Sequence, residues 1–129
     1  MNVIYYLKNG GPNGYIEGVN KEIHTNYPEY EFKFGLIGSK KWMDLYECGK
    51  ISKDIKAGQI TYIGQDRYEP EYEPNIIEIE TDRRIISYPY EDFWLSPEIK
   101  TNHWVSIESI KVKIGDVTSI IDIKVTVIE

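Results

Sequence analysis

Three side chains in the sequence carry the nucleophilic or soft-ligand chemistry open to a small enzyme: Cys48, His24 and His103. A thiol beside an imidazole is the minimal unit for covalent catalysis, because the neighbouring base lowers the thiol pKa and frees the thiolate. None of the short signatures that flank catalytic cysteines surrounds Cys48, so its expected place is the interior, where unpaired cysteines usually reside. The same three residues are the soft or borderline metal ligands of the chain. No H-x-x-x-H, C-x-x-C or H-E-x-x-H spacing joins them, so neither a metal nor any other cofactor is expected.

A second chemistry needs an acid, a base and a cation arranged around a phosphate. Glu108, His103 and either Arg83 or Arg84 supply those types, as in a small ribonuclease-like enzyme. The charge balance works against it. Fifteen Lys and Arg face 21 Asp and Glu, giving a net charge of −6 and a pI near 5.0. A nucleic-acid partner requires a basic footprint to neutralise phosphates, and this chain lacks one.

The third candidate is a binding chemistry. From Asp66 the sequence runs DRYEPEYEP, and Glu78, Glu80 and Asp82 follow, with Arg67 the only basic residue before Arg83. Asp66, Tyr68, Glu69, Glu71, Tyr72 and Glu73 form the candidate partner-binding site. Carboxylates steer a basic protein partner and pair with its Lys and Arg, while tyrosine rings act as desolvated anchors. Pro70 and Pro74 pre-order the loop and reduce the entropy lost on docking. The order of acids lacks the alternation of a calcium-binding EF-hand loop. The plainer alternative is a solvated loop plus the outer face of a strand. Eleven tyrosines against three phenylalanines fit both, since tyrosine suits strands as well as interfaces.

The elements that must position these residues follow from periodicity. Asn2–Leu7 is a short apolar run closed by a Gly-rich loop over 8–14, which lacks both phosphate-loop spacings. Ile16, Val19 and Ile23 fall on one helical face between an Asn13 N-cap and Tyr27-Pro28, and His24 lies near that helix's C-terminus. Tyr30, Phe32, Phe34 and Leu36 alternate with Glu31 and Lys33, which predicts a strand over 30–37. Residues 42–48 fit a helical turn or a strand. Gln59–Ile63 reads as a short strand, and Ile76–Glu80 and Arg84–Tyr88 as a hairpin turning at 81–83. The segment 90–100 is irregular, with Phe93 and Trp94 as an anchor pair. Trp104–Ile114 and Thr118–Ile128 are long strands joined at Gly115-Asp116, with a phase slip between Ile107 and Ile110 that predicts a bulge.

Together these predict one α+β domain over 1–129, of seven or eight strands. Its architecture is a mostly antiparallel twisted sheet or partly open barrel with one N-terminal helix packed on it. No apolar run approaches a membrane span, and the first residues lack the pattern of a signal peptide, so the expected location is the cytoplasm, with no membrane partner.

In size, acidity and mixed α+β character the chain resembles the bacterial immunity proteins, antitoxins that neutralise toxins, many of them basic nucleases. That resemblance implies a non-catalytic toxin inhibitor whose partner is a basic protein such as a toxin domain. Two other readings stand beside it: the small enzyme around His103 and Arg83/Arg84, and an assembly subunit that pairs through the edges of its long C-terminal strands. The sequence leaves the oligomeric state open.

Overall fold

β-Branched residues are concentrated after position 54, and that is where the long strands form. The computed structural model describes residues 1–66 and 73–128. In chain order these are β1 (Asn2–Tyr6), α1 (Leu7–Gly10), α2 (Gly14–Asn26), α3 (Pro28–Phe34), α4 (Lys40–Glu47), β2 (Asp54–Gly64), β3 (Ile76–Glu80), β4 (Ile85–Pro89), β5 (Trp104–Ile114) and β6 (Val117–Val127). The six strands found among the described residues make one open antiparallel sheet in the order β1-β6-β5-β2-β3-β4, so the fold is α+β. Four helices, not one, accompany it. β5 and β6 lie inside the sheet; its edges are β1 and β4. β5 and β6, expected to offer pairing edges, each have a neighbour on both sides in that order, although the five-residue β1 cannot cover all eleven residues of β6. No helix among the described residues is long and apolar enough to cross a membrane.

The chain divides into two compact units, Met1–Tyr5 with Ile55–Glu108 and Lys124–Glu129, and Tyr6–Asp54 with Ser109–Ile123. The first unit is held by a cluster of Ile60, Ile77, Ile79, Val105, Ile107, Val125 and Val127, the inward positions of its strands. Trp94 and Ile99 join the cluster from the irregular segment, where a 3₁₀ turn over Asp92–Leu95 drives Trp94 inward. Phe93 stacks on Tyr5 with centroids 4.5 Å apart. The β3–β4 hairpin forms as its pattern predicts. Its ladder pairs Ile77 with Tyr88 and Ile79 with Ile86 on the core side, and Glu78 with Ser87 on the other. Gly58 is required where β2 crosses β3, because a Cβ there would lie 2.6 Å from Ile79 Cγ2 and 2.9 Å from the Glu80 carbonyl.

In the second unit α2 forms as its spacing predicts. Asn13 Oδ1 accepts the Ile16 N–H at 2.9 Å, and Ile16, Val19 and Ile23 are buried. The loop expected over 8–14 is shorter than its composition suggests, since Leu7–Gly10 is a helical turn that buries Leu7.

The strand expected over 30–37 is overturned. Pro28 opens α3 with Glu29 and Glu31 in its first turn, and Gly35 at φ 81° ends it. Proline at the first position and acids near the N-terminus both favour a helix, and they outweigh a short alternation. Ser39 caps α4, whose buried face is Trp42, Met43 and Tyr46, so residues 42–48 resolve as helix. The Asn20 side chain binds both backbone groups of Ile37: its amide donates to the carbonyl at 2.9 Å and its oxygen accepts the N–H at 2.8 Å. Trp42 stacks on Tyr46, and its Nε1–H donates to the Tyr30 hydroxyl at 3.2 Å. Burial raises the Tyr30 phenol above its ordinary pKa, opposed by that hydrogen bond. In β5 the buried set passes from Val105 and Ile107 to Ile110 and Val112 with both Ser109 and Ile110 inside, a phase change where the sequence places one.

Candidate binding surface

Of the six candidate residues, Tyr68, Glu69, Glu71 and Tyr72 lie outside the described residues. Asp66 and Glu73 frame that segment. Asp66 is half-buried and its N–H donates to Asn75 Oδ1 at 2.6 Å, while Glu73 is exposed. Asn75 in turn continues the β3 ladder, with its N–H on the Gly64 carbonyl and its own carbonyl accepting the Tyr90 N–H. Asp66 and Asn75 are thus tied to each other and to the hairpin by hydrogen bonds. Beside them is a cleft of about 500 Å³ whose walls include Asp66, Asn75, Tyr88, Tyr90 and Glu91. Carboxylates and tyrosines line this cleft, but of the residues expected from the sequence only Asp66 is among them, and the contributing residues after β3 were missed. Tyr88, Tyr90 and Glu91 are distant in sequence from Asp66, and only the hairpin register brings them back to it.

The β3–β4 hairpin adds a row of charge on the face away from the core. Glu78 lies across from Tyr62 on β2 and Ser87 on β4, and Glu80 across from Gln59 and Ile85. Asp82 sits in the turn, closed by Thr81, whose N–H donates to the Arg84 carbonyl at 2.9 Å. Glu73, Glu78, Glu80, Asp82, Glu91 and Asp92 make no ion pair among the described residues.

The alternative acid/base trio is not brought together. His103 lies in the row of Ile60, whose N–H donates to the His103 carbonyl. That row continues through Ile79 to Ile86. Arg84 therefore begins at least three strand spacings from His103, about 14 Å, and Glu108 is five residues further along β5, about 16 Å. His103 instead borders a cleft of about 310 Å³ with Glu98 and Lys100. Its Nδ1 lies 3.1 Å from the Glu98 carbonyl, and the Glu98 carboxylate accepts from the Asn2 amide.

His24 makes an exposed pair with Glu31 at 2.7 Å. Cys48 is exposed, which corrects the interior place expected for it: it caps the C-terminus of α4, beyond the buried face, with Sγ 3.5 Å from the Leu45 carbonyl. No cluster of three or more metal-binding side chains occurs among the described residues. No protein-family model and no curated protein matches the chain.

Proposed function

We propose that this protein is a non-catalytic binding protein of the inhibitor or immunity type, which neutralises a basic protein partner such as a bacterial toxin domain. The observation that carries the reading is the placement of charge. The first unit holds twelve acidic and six basic side chains and thus the whole net charge of −6, while the second holds nine of each. Six of those carboxylates, around the β3–β4 hairpin and the base of the acidic loop, make no ion pair among the described residues. Like charges concentrated in one unit raise its local negative potential, which a cationic partner would relieve. Tyr62 lies across from Glu78, and Tyr88 and Tyr90, half-buried against the core, line the cleft with Asp66 and Glu91; these rings could serve for anchoring.

The test begins with capture of the partner from the source cell, or with the product of the adjacent gene, on immobilised protein. Charge reversal at Glu73, Glu78 and Glu80 should then slow association roughly tenfold or more while leaving thermal stability near wild type. Reversal at Glu69 and Glu71 should add to that loss, and Tyr68→Ala or Tyr72→Ala should act on dissociation. A partner that is acidic, or one that binds every variant like the wild type, contradicts the reading.

A further inference from the structure

The outermost strand of the sheet is left with unpaired backbone groups. Thr81 N–H donates to the Arg84 carbonyl and Tyr90 N–H to the Asn75 carbonyl, so the β3–β4 ladder extends from Arg84 to Tyr90. Backbone direction alternates along an antiparallel strand. Arg84, Ile86, Tyr88 and Tyr90 therefore turn inward to β3, and Ile85, Ser87 and Pro89 turn outward. Neither the Ile85 nor the Ser87 N–H has a hydrogen-bond partner among the described residues, and all three outward residues are exposed, Ile85 by 57%. Natural edges are usually guarded by a charge, a proline or a bulge, or are kept short. Here β4 is short and Pro89 guards its C-terminal end, while Ile85–Tyr88 carry no charge.

We infer that β4 pairs antiparallel with β4 of a second copy of this chain, about a two-fold axis at Ser87. Ser87 is both the midpoint of the 84–90 ladder and an outward-directed residue, so the symmetric register is also the hydrogen-bonding one. Each Ser87 exchanges both backbone bonds with its counterpart, and each Ile85 N–H donates to the carbonyl of the partner's Pro89, whose second lone pair already accepts that chain's own Glu91 N–H at 2.9 Å.

The side chains in that register complement one another. Ile86 faces the partner's Tyr88, an aromatic and β-branched pair of the kind that stabilises sheets. Arg84 faces the partner's Tyr90, a cation over a ring. Arg83 and the partner's Glu91 follow just beyond the paired strands at each end, opposite charges within reach of each other, and two-fold symmetry makes every contact twice. This self-complementarity selects a second copy over an unrelated strand. The pairing covers the β4 wall of the cleft, with Tyr88, Tyr90 and Glu91, and leaves Glu78 and Glu80 on the sheet face; it goes beyond the proposed function, and a partner that used the cleft would compete with the dimer whereas one held by Glu78 and Glu80 would not. So short a seam, between chains of net charge −6, gives a reversible dimer and not an obligate one.

The measurement is sedimentation equilibrium across a wide protein concentration range, with amide exchange read by NMR on the same samples. The wild type should pass from monomer to dimer, and the Ile85 and Ser87 amides should gain protection as it does, whereas the Thr81 and Tyr90 amides are protected throughout. Ser87→Pro removes an outward N–H that β3 does not use and should leave a monomer. Arg83→Glu and Glu91→Arg should each weaken association roughly tenfold, and the double variant, which restores the opposite charges with reversed polarity, should recover it. A wild type that is monomeric at every concentration overturns the inference, as does a dimer in which the Ile85 and Ser87 amides stay unprotected. The exchange experiment needs no variant, so a misfolded Ser87→Pro leaves the inference falsifiable.

Discussion

The two units of this chain handle charge in opposite ways. In the second, acids and bases balance and several are spent locally: Lys8 on Glu47 and Lys40 on Asp44, both at 2.8 Å, and His24 on Glu31 at 2.7 Å. Lysines also lie over rings there, Lys33 over Phe34 and Lys53 over Tyr46. Exposed pairs of this kind contribute little each, and their main result is a neutral surface. In the first unit the acids outnumber the bases two to one and gather on the hairpin and loop. A protein that needed acidity only for solubility would have no reason to segregate it. The difference teaches that net charge is more informative once it is assigned to a structural unit.

The comparison can be sharpened by substitutions that weaken one unit at a time. The largest effects are expected in the two cores. Trp42→Ala in the second unit removes a fully buried ring, its stack on Tyr46 and its bond to Tyr30, and should cost about 3–5 kcal/mol in urea unfolding. Ile60→Ala in the first unit and Ile123→Ala in β6 should each cost about 2–5 kcal/mol. A loss below about 0.5 kcal/mol at any of these would show that its side chain is not packed as described. Gly58→Ala comes next, at about 1–3 kcal/mol, because the added methyl meets Ile79 and the Glu80 backbone. A neutral result would mean that β2 and β3 separate readily.

Asn20→Ala should cost about 1–3 kcal/mol by stripping both partners from the Ile37 backbone, and amide exchange at Ile37 should rise with it. Unchanged exchange would contradict the clamp. The smallest effect is expected at Cys48→Ser, within about 0.5 kcal/mol and without loss of partner binding, since the thiol is exposed at a helix end. A folded but inactive Cys48→Ser protein would reopen the thiol chemistry.

Much of the fold was legible in the sequence where one periodicity had no competitor. α2, its Asn13 cap, the β3–β4 hairpin and the two C-terminal strands all read directly. α3 did not, because seven residues can satisfy both periods. As a helix the same sequence brings Tyr30 and Phe34 together, with ring centroids 4.9 Å apart, and turns Phe32 out to 86% exposure. An alternation rule takes that exposed ring for a buried one, while Pro28 and Gly35 held the contrary signal. The proposed binding surface was legible as an acidic bias but not as a place. Asp66, Tyr88 and Glu91 share a cleft only through the hairpin register, and the Asn20–Ile37 clamp spans 17 positions that no local pattern links. Length points to the C-terminal strands as edges, whereas the strand order puts the short β1 and β4 there.

The central claim is that the first unit's carboxylates recruit a cationic partner, and the most direct measurement is the association rate of the captured partner at two ionic strengths. Exposed charges are screened beyond about 8 Å at physiological salt, against about 30 Å at 0.01 M. Steering by the unpaired carboxylates predicts that the rate falls on the order of tenfold between those conditions, and that the dependence flattens when Glu73, Glu78 and Glu80 are reversed. A rate that is the same at both salt concentrations, or a slope untouched by those reversals, would contradict the account.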